Sequence, residues 1–134
     1  MDMANNGDIV KGIYDAFGKG DVAGVLGTFD PKIEWREAEG FLYADGNPYV
    51  GPQSVAEGVF QRLAESIENF AVVPEKFIDG GNAVVVEGRY TGSMNETGKP
   101  VDAQFAHIWE LHGGKVVRFQ QYTDTGQWRE ASGT

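Results

Sequence analysis

Cysteine is missing from this sequence of 134 residues, and histidine is nearly missing. Without a thiol, the chain can form no disulfide, no thiolate nucleophile and no cysteine-based zinc site. The two histidines, His107 and His112, are too few for a histidine-rich metal site, although carboxylates could still bind a hard cation. We therefore predict a protein without a metal or another cofactor.

Positive charge and long apolar runs are also scarce. Lys and Arg number 11 against 20 Asp and Glu, which gives a formal net charge of −9. An acidic surface without a Lys/Arg cluster repels phosphate backbones and argues against nucleic acid as a partner. No apolar run approaches the roughly 20 residues of a membrane helix, and the first residues lack the features of an export signal. We expect a cytoplasmic protein that does not bind membranes.

The first half of the sequence has the periodicity of helices. Three stretches carry apolar residues at helical spacing, and Pro52 suits the first turn of the third. Asp21 is placed to cap the second helix, which Asp30-Pro31 would close. The predicted buried stripes are Ile9, Val10, Ile13, Tyr14 and Phe17; Val22, Val25, Leu26 and Phe29; and Val55, Val59, Phe60, Leu63 and Ile67.

A short strand and a long loop separate the second and third predicted helices. In the strand, residues 33–37, the side chains of Trp35 and Glu37 share a face. The loop over residues 38–52 is rich in turn-forming and aromatic residues, Tyr43 among them, which is typical of a lid or a pocket rim.

The second half of the sequence has the alternation of strands. Residues 70–78 form an extended stretch in which Pro74 favours an edge position. Turns within residues 79–82, 95–99 and 112–115 separate three further strands. Helices followed by an antiparallel meander predict an α+β fold, in one domain over residues 1–134 with an ordered core of about 7–128.

Alternation divides the last three strands into two faces. Residues that share the parity of His107 are mostly large and apolar, and we assign them to a pocket face: Val84, Val86, Gly88, Tyr90, Phe105, Trp109, Val117, Phe119 and Gln121. An imidazole on such a face is either a satisfied core residue or part of a ligand site. The opposite parity mixes charged and apolar residues, as in Glu87, Arg89 and Ile108, and predicts a homodimer through the outer sheet face.

The order of the elements and several short motifs resemble the nuclear transport factor 2-like superfamily, and most closely its SnoaL-like and ketosteroid-isomerase-like branch. The motifs are YDAF at 14–17 with Gly20-Asp21, IEWRE at 33–37, YVGP at 49–52, GRYTG at 88–92, TGKP at 97–100, FAHIW at 105–109 and QYTD at 121–124. The resemblance implies a cone-shaped, cystatin-like fold. Three N-terminal helices would pack on a curved mixed or antiparallel sheet that encloses one pocket.

The ketosteroid isomerases of this branch, as the resemblance implies, use a carboxylate on the first strand to move a proton beside a carbonyl. A tyrosine and a protonated aspartate stabilise the oxyanion. Here the late-strand position falls on His107 and the first-strand position falls on or next to Trp35, so that Glu37 is the nearest inward carboxylate. Tyr14 lies one residue out of register with the tyrosine position. The isomerase set is not intact, and we do not predict a ketosteroid isomerase.

SnoaL-like polyketide cyclases resemble the chain more closely. The resemblance implies that they close a ring by an aldol step with a histidine and an aspartate, which His107 and Asp124 match. A histidine with the ordinary pKa of about 6.5 could take the acidic proton of a β-dicarbonyl carbon. Tyr14 or Gln121 could hold the enolate oxygen. Strict alternation places Asp124 off the pocket face, unless the strand ends or bulges first.

Two functions stay open on this scaffold. One is a cofactor-free acid–base enzyme for an enolisable hydrophobic substrate, of the isomerase or cyclase type, and the other is a non-catalytic small-molecule-binding or dimerisation module. Epoxide hydrolysis ranks last, because it needs an Asp–Arg–Asp set in the pocket and Arg89 has the outward parity. In the enzyme or the binding module, a small hydrophobic or aromatic ligand would contact Trp35, Tyr43, Tyr90, Phe105, Trp109, Phe119 and Gln121.

Each catalytic candidate also has a structural interpretation. His107 could be a core histidine bonded to a neighbour, and Glu37 a rim carboxylate in water. Asp124 could cap a turn after the last strand. Tyr14 could be a core residue with its hydroxyl bonded.

Overall fold

A computed structural model describes residues 5–133 of the chain. The helices in these residues are α1 (Asn6–Gly18), α2 (Val22–Leu26), α3 (Pro52–Val55), α4 (Gln61–Ser66) and α5 (Thr125–Ser132). The strands are β1 (Phe29–Arg36), β2 (Tyr49–Val50), β3 (Ile67–Asp79), β4 (Ala83–Met94), β5 (Pro100–His112) and β6 (Lys115–Thr123). A π-helical turn, Ala56–Phe60, joins α3 to α4. No helix in this part of the chain is long and apolar enough to cross a membrane.

The six strands form one mixed sheet in the order β2-β1-β6-β5-β4-β3. Strands β3 to β6 make an antiparallel meander, whereas β1 runs parallel to β6 with Trp35 opposite Phe119. The helices cover the concave face of this unclosed sheet, and the predicted α+β cone fold is confirmed. Because β1 and β6 are neighbours, Glu37 at the end of β1 comes close to Gln121 on β6.

The first two helices begin where side chains cap them. The side chain of Asn5 accepts the backbone N–H of Asp8 at 2.7 Å, and that of Asp21 accepts the N–H of Gly24 at 2.9 Å. Helix α2 is shorter than predicted, and Phe29 begins β1 instead of ending the helix. The prediction failed because two glycines in and after α2 weaken the helix, while Phe29 packs against the ring of Trp35 with centroids 5.6 Å apart.

The predicted inward position of Val117 is wrong. Leu111 pairs with Val116 while Glu110 pairs with Arg118, so that β6 carries one extra residue at this point. Such a bulge shifts the parity of the strand by one. Val116 is consequently the fully buried residue, and Val117 is only partly buried.

Helix α5 was not predicted from the sequence. Asp124 caps it by accepting the backbone N–H of Gln127 at 3.2 Å. Its buried residues are Trp128 and Ala131, which are too few to produce a visible helical stripe. The helix nevertheless closes one end of the cone, because Trp128 is completely buried against the rings of Phe41 and Tyr90.

Candidate functional site

The helices and the sheet border a partly open cavity of about 50 Å³. Its wall is predominantly aromatic, and its polar side chains come from both ends of the sequence. This volume is close to that of one or two water molecules, whereas drug-sized ligands occupy roughly 300–1,000 Å³. A molecule larger than this volume must extend through the open side of the cavity. The aromatic wall consists of Tyr14, Phe17, Trp35, Phe41, Phe60, Phe70, Tyr90, Trp109, Phe119 and Trp128, with Glu37, His107 and Gln121 among them.

His107 lies at the inner wall of the cavity, buried between two tyrosines. Its Nδ1 is 2.5 Å from the hydroxyl of Tyr14, and its Nε2 is 2.5 Å from the hydroxyl of Tyr90. The ring of Phe105 stacks on the imidazole with centroids 3.9 Å apart. Burial lowers the pKa of His107 to about 3, because the cation would lose its hydration. The imidazole is neutral near pH 7, and neither nitrogen is free to act as a base.

Each of these two tyrosine hydroxyls also accepts a second hydrogen bond. The indole N–H of Trp109 donates to Tyr14 at 3.0 Å, and the amide Nε2 of Gln121 donates to Tyr90 at 2.9 Å. The other end of that amide, Oε1, accepts the backbone N–H of Ala38 at 3.1 Å, which fixes its orientation. The hydroxyls of Tyr14 and Tyr90 are thus held from both sides.

In this network, one of the two tyrosine hydroxyls has an O–H without an acceptor. A neutral imidazole has one N–H donor and one acceptor nitrogen. One tyrosine therefore donates to His107, while the other accepts from it and already accepts from Trp109 or Gln121. The O–H of this second tyrosine has no acceptor in the network, whichever nitrogen carries the hydrogen. That O–H is available to a ligand in the cavity.

Both hydroxyls stay protonated over the physiological pH range. Burial raises the pKa of Tyr14 above its ordinary value, and the hydrogen bond from Trp109 only partly opposes this. Burial also raises the pKa of Tyr90, and the nearby Glu37 carboxyl adds to the increase. The network is therefore a set of neutral hydrogen-bond donors and acceptors.

Glu37 lies on the cavity wall directly after β1. The Asn47 side chain holds its backbone on both sides, accepting the Glu37 N–H at 2.9 Å and donating to the Glu37 carbonyl at 2.8 Å. The residue is only 2% exposed, and burial raises the pKa of its carboxyl to about 8. The Trp35 indole and the Arg62 charge partly oppose this increase. At pH 7 most of the Glu37 carboxyl is uncharged.

Two buried side-chain polar atoms within residues 5–133 have no hydrogen-bond partner, and both belong to this site. They are Glu37 Oε1 and Trp35 Nε1. The Trp35 indole lies close enough to lower the pKa of Glu37 by hydrogen bonding, so the ionised carboxylate is the nearest acceptor for this N–H. Unpaired buried polar atoms are rare in folded proteins because each costs about 1–3 kcal/mol. Because Glu37 and Trp35 both lie on the cavity wall, these two side chains are the candidates for contact with a ligand.

Eight of the predicted site residues line the cavity: Tyr14, Trp35, Glu37, Tyr90, His107, Trp109, Phe119 and Gln121. Three others do not. Phe105 stacks on the imidazole of His107. Tyr43 packs against Arg62, whose guanidinium carbon lies 4.3 Å from the centroid of the tyrosine ring. Asp124 is exposed, caps α5 and lies outside this cavity. Arg89 pairs with the exposed Asp102 at 2.8 Å, outside the cavity.

Five aromatic residues of the wall were not among the predicted site residues: Phe17, Phe41, Phe60, Phe70 and Trp128. Phe41 belongs to the loop over residues 38–52, which was expected to form a lid or a pocket rim. Phe70 begins the extended stretch of β3, where the left-handed backbone of Asn69 (φ 55°) interrupts the alternation. Trp128 lies on α5, and the only feature of the sequence that indicates its burial is that it is a large aromatic residue in a polar segment.

Solved structures share the fold over nearly the whole chain. A crystal structure of an NTF2-like protein from Burkholderia thailandensis is 33% identical, covers 97% of this chain and 98% of its own, and gives a TM-score of 0.93. TerC co-crystallised with polyporic acid is 25% identical, with 94% and 96% covered and a TM-score of 0.82. A protein with a ketosteroid isomerase-like fold from Catenulispora acidiphila, in complex with trimethylamine, is 21% identical, with 94% and 92% covered and a TM-score of 0.78.

Among curated proteins, none matches this chain. A family match covers most of the chain: residues 10–119 fit the SnoaL-like domain. The matched range includes most of α1 and most of the sheet, and with them every polar residue of the cavity except Gln121. The chain therefore belongs to the SnoaL-like family, and its fold is that of the NTF2-like proteins.

Proposed function

We propose that this protein is a cofactor-free acid–base enzyme that moves a proton on a small enolisable carbonyl compound bound in the cavity. The observation that carries the proposal is the Glu37 carboxyl, which is buried and unpartnered at Oε1 in a cavity that also holds tyrosine hydroxyls. With a pKa of about 8, roughly a tenth of Glu37 is ionised at pH 7. A general base with a pKa near the working pH is well matched to proton transfer.

The proton transfer uses two groups of this chain. The Glu37 carboxylate takes a hydrogen from the carbon beside the carbonyl, and the electron pair of the broken C–H bond moves to the carbonyl oxygen. The spare tyrosine O–H donates a hydrogen bond to the resulting enolate. Protonated Glu37 then returns the proton to the same carbon or, in an isomerisation, to another carbon of the enolate.

His107 acts in this proposal as a positioning residue and not as the base. Its two nitrogens hold the hydroxyls of Tyr14 and Tyr90 in place. Its low pKa keeps it neutral, so that one tyrosine hydroxyl donates to it and the other keeps its hydrogen for the enolate. Asp124 has no part in the reaction, because its carboxylate is engaged in capping α5.

Exchange of carbon-bound hydrogen for deuterium tests the proposal. Small ketones and diketones would be incubated with the protein in D₂O, and the loss of their α-hydrogen signals followed by NMR. We expect catalysed exchange whose rate rises with pH up to about 8 and then levels off, because the carboxylate is the active form. Glu37→Gln should reduce the rate by about 10²–10⁴-fold. Exchange that survives this substitution in a folded variant would reject Glu37 as the base.

A passive binding protein is the second candidate. Solved structures with this fold hold polyporic acid and trimethylamine, so the scaffold accepts small molecules of different chemistry. Binding without exchange for any enolisable compound would favour this second function.

We also propose that the outer face of the sheet pairs with a second copy of the chain. Three large hydrophobic side chains, Val73, Ile78 and Tyr122, are 43%, 46% and 54% exposed. Their strand partners on this face include Arg89, Val85 and Ala106. Analytical ultracentrifugation should give twice the monomer mass, and Ile78→Glu should return the protein to a monomer. A wild-type monomer would contradict this assembly.

A further inference from the structure

The side chain of Asn47 occupies the place of a backbone strand partner for Glu37. The backbone N–H of Gly51 donates to the carbonyl of Ile33 at 2.9 Å, which makes these two residues a hydrogen-bonded pair at the junction of β1 and β2. Hydrogen-bonded pairs alternate along antiparallel strands. When the register of β1 and β2 is continued by four residues, Asn47 lies opposite Glu37, again at a hydrogen-bonded position.

The backbone of Asn47 does not make the two bonds of such a pair. Its N–H donates instead to the carbonyl of Ala44 at 3.1 Å, and the next residue, Pro48, has no N–H. The side-chain amide replaces the backbone. Its Oδ1 accepts the N–H of Glu37 at 2.9 Å, and its Nδ2 donates to the carbonyl of Glu37 at 2.8 Å. One side chain therefore supplies both bonds of a strand pair at the residue that follows β1.

The loop that carries Asn47 is held on both sides of this residue. Before it, Asp45 pairs with the guanidinium of Arg62 through both carboxylate oxygens, at 2.8 and 3.1 Å. After it, the hydroxyl of Tyr49 donates to the carbonyl of Tyr43 at 2.7 Å. The amide of Asn47 thus extends from a segment whose own position is fixed.

We propose that Asn47 is a positioning residue that keeps the carboxyl of Glu37 directed into the cavity. The inference rests on the proposed function, in which Glu37 is the base. Both hydrogen bonds of the Asn47 amide go to the Glu37 backbone, so Asn47 acts on the carboxyl by fixing the residue that carries it. Gln121 fixes the next residue in the same way, because its Oε1 accepts the N–H of Ala38 at 3.1 Å.

Glu37 requires such a hold because the burial of its carboxyl is unfavourable. The residue is 2% exposed and its Oε1 has no partner, whereas water would hydrate the carboxyl completely. A strand end without a neighbour would turn and carry the side chain towards solvent. The two bonds from Asn47 oppose this movement. A general base is effective only within hydrogen-bonding reach of the proton that it removes.

Deuterium exchange of butanone at pH 9 tests the inference, because the Glu37 carboxyl is mostly ionised at this pH. Asn47→Ala removes both bonds and should lower kcat by about 10–10²-fold, while KM stays nearly constant because the aromatic wall is unchanged. Asn95→Ala is the matched control. The amide of Asn95 also donates to a backbone carbonyl, that of Glu65 at 2.9 Å, but outside the cavity. This variant should keep the wild-type kcat.

A second substitution decides the question if Asn47→Ala does not fold. In Asn47→Asp, the carboxylate still accepts the N–H of Glu37 but has no hydrogen to donate to the Glu37 carbonyl. One of the two bonds remains, and kcat at pH 9 should also fall. A wild-type kcat in folded Asn47→Ala, or in Asn47→Asp where only that variant folds, would overturn the inference.

The pKa of Glu37 is a readout that a purely structural role of Asn47 would not change. Titration followed by ¹³C NMR, with the carboxyl signal identified by its absence in Glu37→Gln, should give a pKa of about 8 in the wild type and in Asn95→Ala. In Asn47→Ala the carboxyl should reach water, and its pKa should fall towards the ordinary value of 4.5. A pKa that stays at about 8 would overturn the inference.

The two measurements separate this inference from the proposed function. If exchange depends on Glu37 but neither kcat nor the pKa of Glu37 responds to Asn47→Ala, the enzyme stands and the positioning role falls. If the wild type exchanges no hydrogen but the pKa of Glu37 falls in Asn47→Ala and not in Asn95→Ala, the positioning role stands and the proposed catalysis falls.

Discussion

The cavity contains two buried titratable groups whose surroundings differ completely. Both nitrogens of His107 have a hydroxyl partner, and each of those hydroxyls has a further donor. Glu37 has a carboxyl oxygen without a partner, beside an indole N–H that also lacks one. Satisfied polar networks stabilise a unique core, whereas an unsatisfied group costs stability and stays available for a ligand. The His107 centre therefore supports the fold and leaves one tyrosine O–H for a ligand, and the Glu37 centre is where proton transfer is expected.

The largest expected effect on stability is the difference between a substitution at His107 and one at Glu37. His107→Ala leaves a void and deprives both tyrosine hydroxyls of a partner, and should lower the free energy of unfolding by about 2–5 kcal/mol. Glu37→Gln replaces a carboxyl that is already mostly neutral near pH 7. This substitution should change the free energy of unfolding by less than about 1 kcal/mol. Urea denaturation at pH 7 measures both. The contrast between the centres is wrong if Glu37→Gln costs more than His107→Ala.

The pH dependence of stability sharpens the comparison, because the two groups act in opposite directions. Burial raises the pKa of Glu37 from 4.5 to about 8, so its contribution to stability is lost as the pH rises through this window. Burial lowers the pKa of His107 from 6.5 to about 3, so its contribution is lost as the pH falls through that window. The two slopes offset each other between about pH 4.5 and 6.5.

We therefore expect these groups to give maximal stability at about pH 4.5–6.5, followed by a decline of about 1.4 kcal/mol per unit up to pH 8. Denaturation of the wild type and Glu37→Gln at several pH values tests this. The variant should lose the decline above pH 6.5. A wild-type curve that is already flat there would show that Glu37 ionises at its ordinary pKa.

The smallest effect concerns Asp124, which belongs to neither centre. Asp124→Ala removes the cap of α5 and should lower the free energy of unfolding by about 1 kcal/mol. Asp124→Asn should retain most of the stabilisation that the cap provides. Neither change should affect deuterium exchange of a bound ketone, because the carboxylate lies outside the cavity. A loss of exchange in folded Asp124→Asn would restore the cyclase-like role that the family resemblance implied.

The strands and the faces of the sheet could be predicted from the sequence because alternation is a local signal. His107, Tyr90 and Trp109 were correctly assigned to the inner face for this reason. The same signal failed at Val117, where a single extra residue in β6 reverses the parity. It could not find α5, whose packing depends on one tryptophan and not on a repeated pattern.

The polar partners in the cavity could not be predicted, because they join distant parts of the chain. The bond between Tyr14 and His107 spans 93 positions, and that between Ala38 and Gln121 spans 83. Sequence patterns place such residues on a face, but they do not show which side chains meet. The neutral state of His107 and the raised pKa of Glu37 follow from burial that only the assembled cone provides.

The parallel pairing of β1 with β6 has a consequence for how the chain is made. During translation, Trp35 and Glu37 leave the ribosome long before Phe119 and Gln121, which complete their surroundings. Until then, one side of β1 has no neighbouring strand, and its aromatic side chains lack their cover. Contacts of such long sequence separation also slow folding. The same topology that assembles the candidate site makes its first strand one of the last to be protected in the newly made chain.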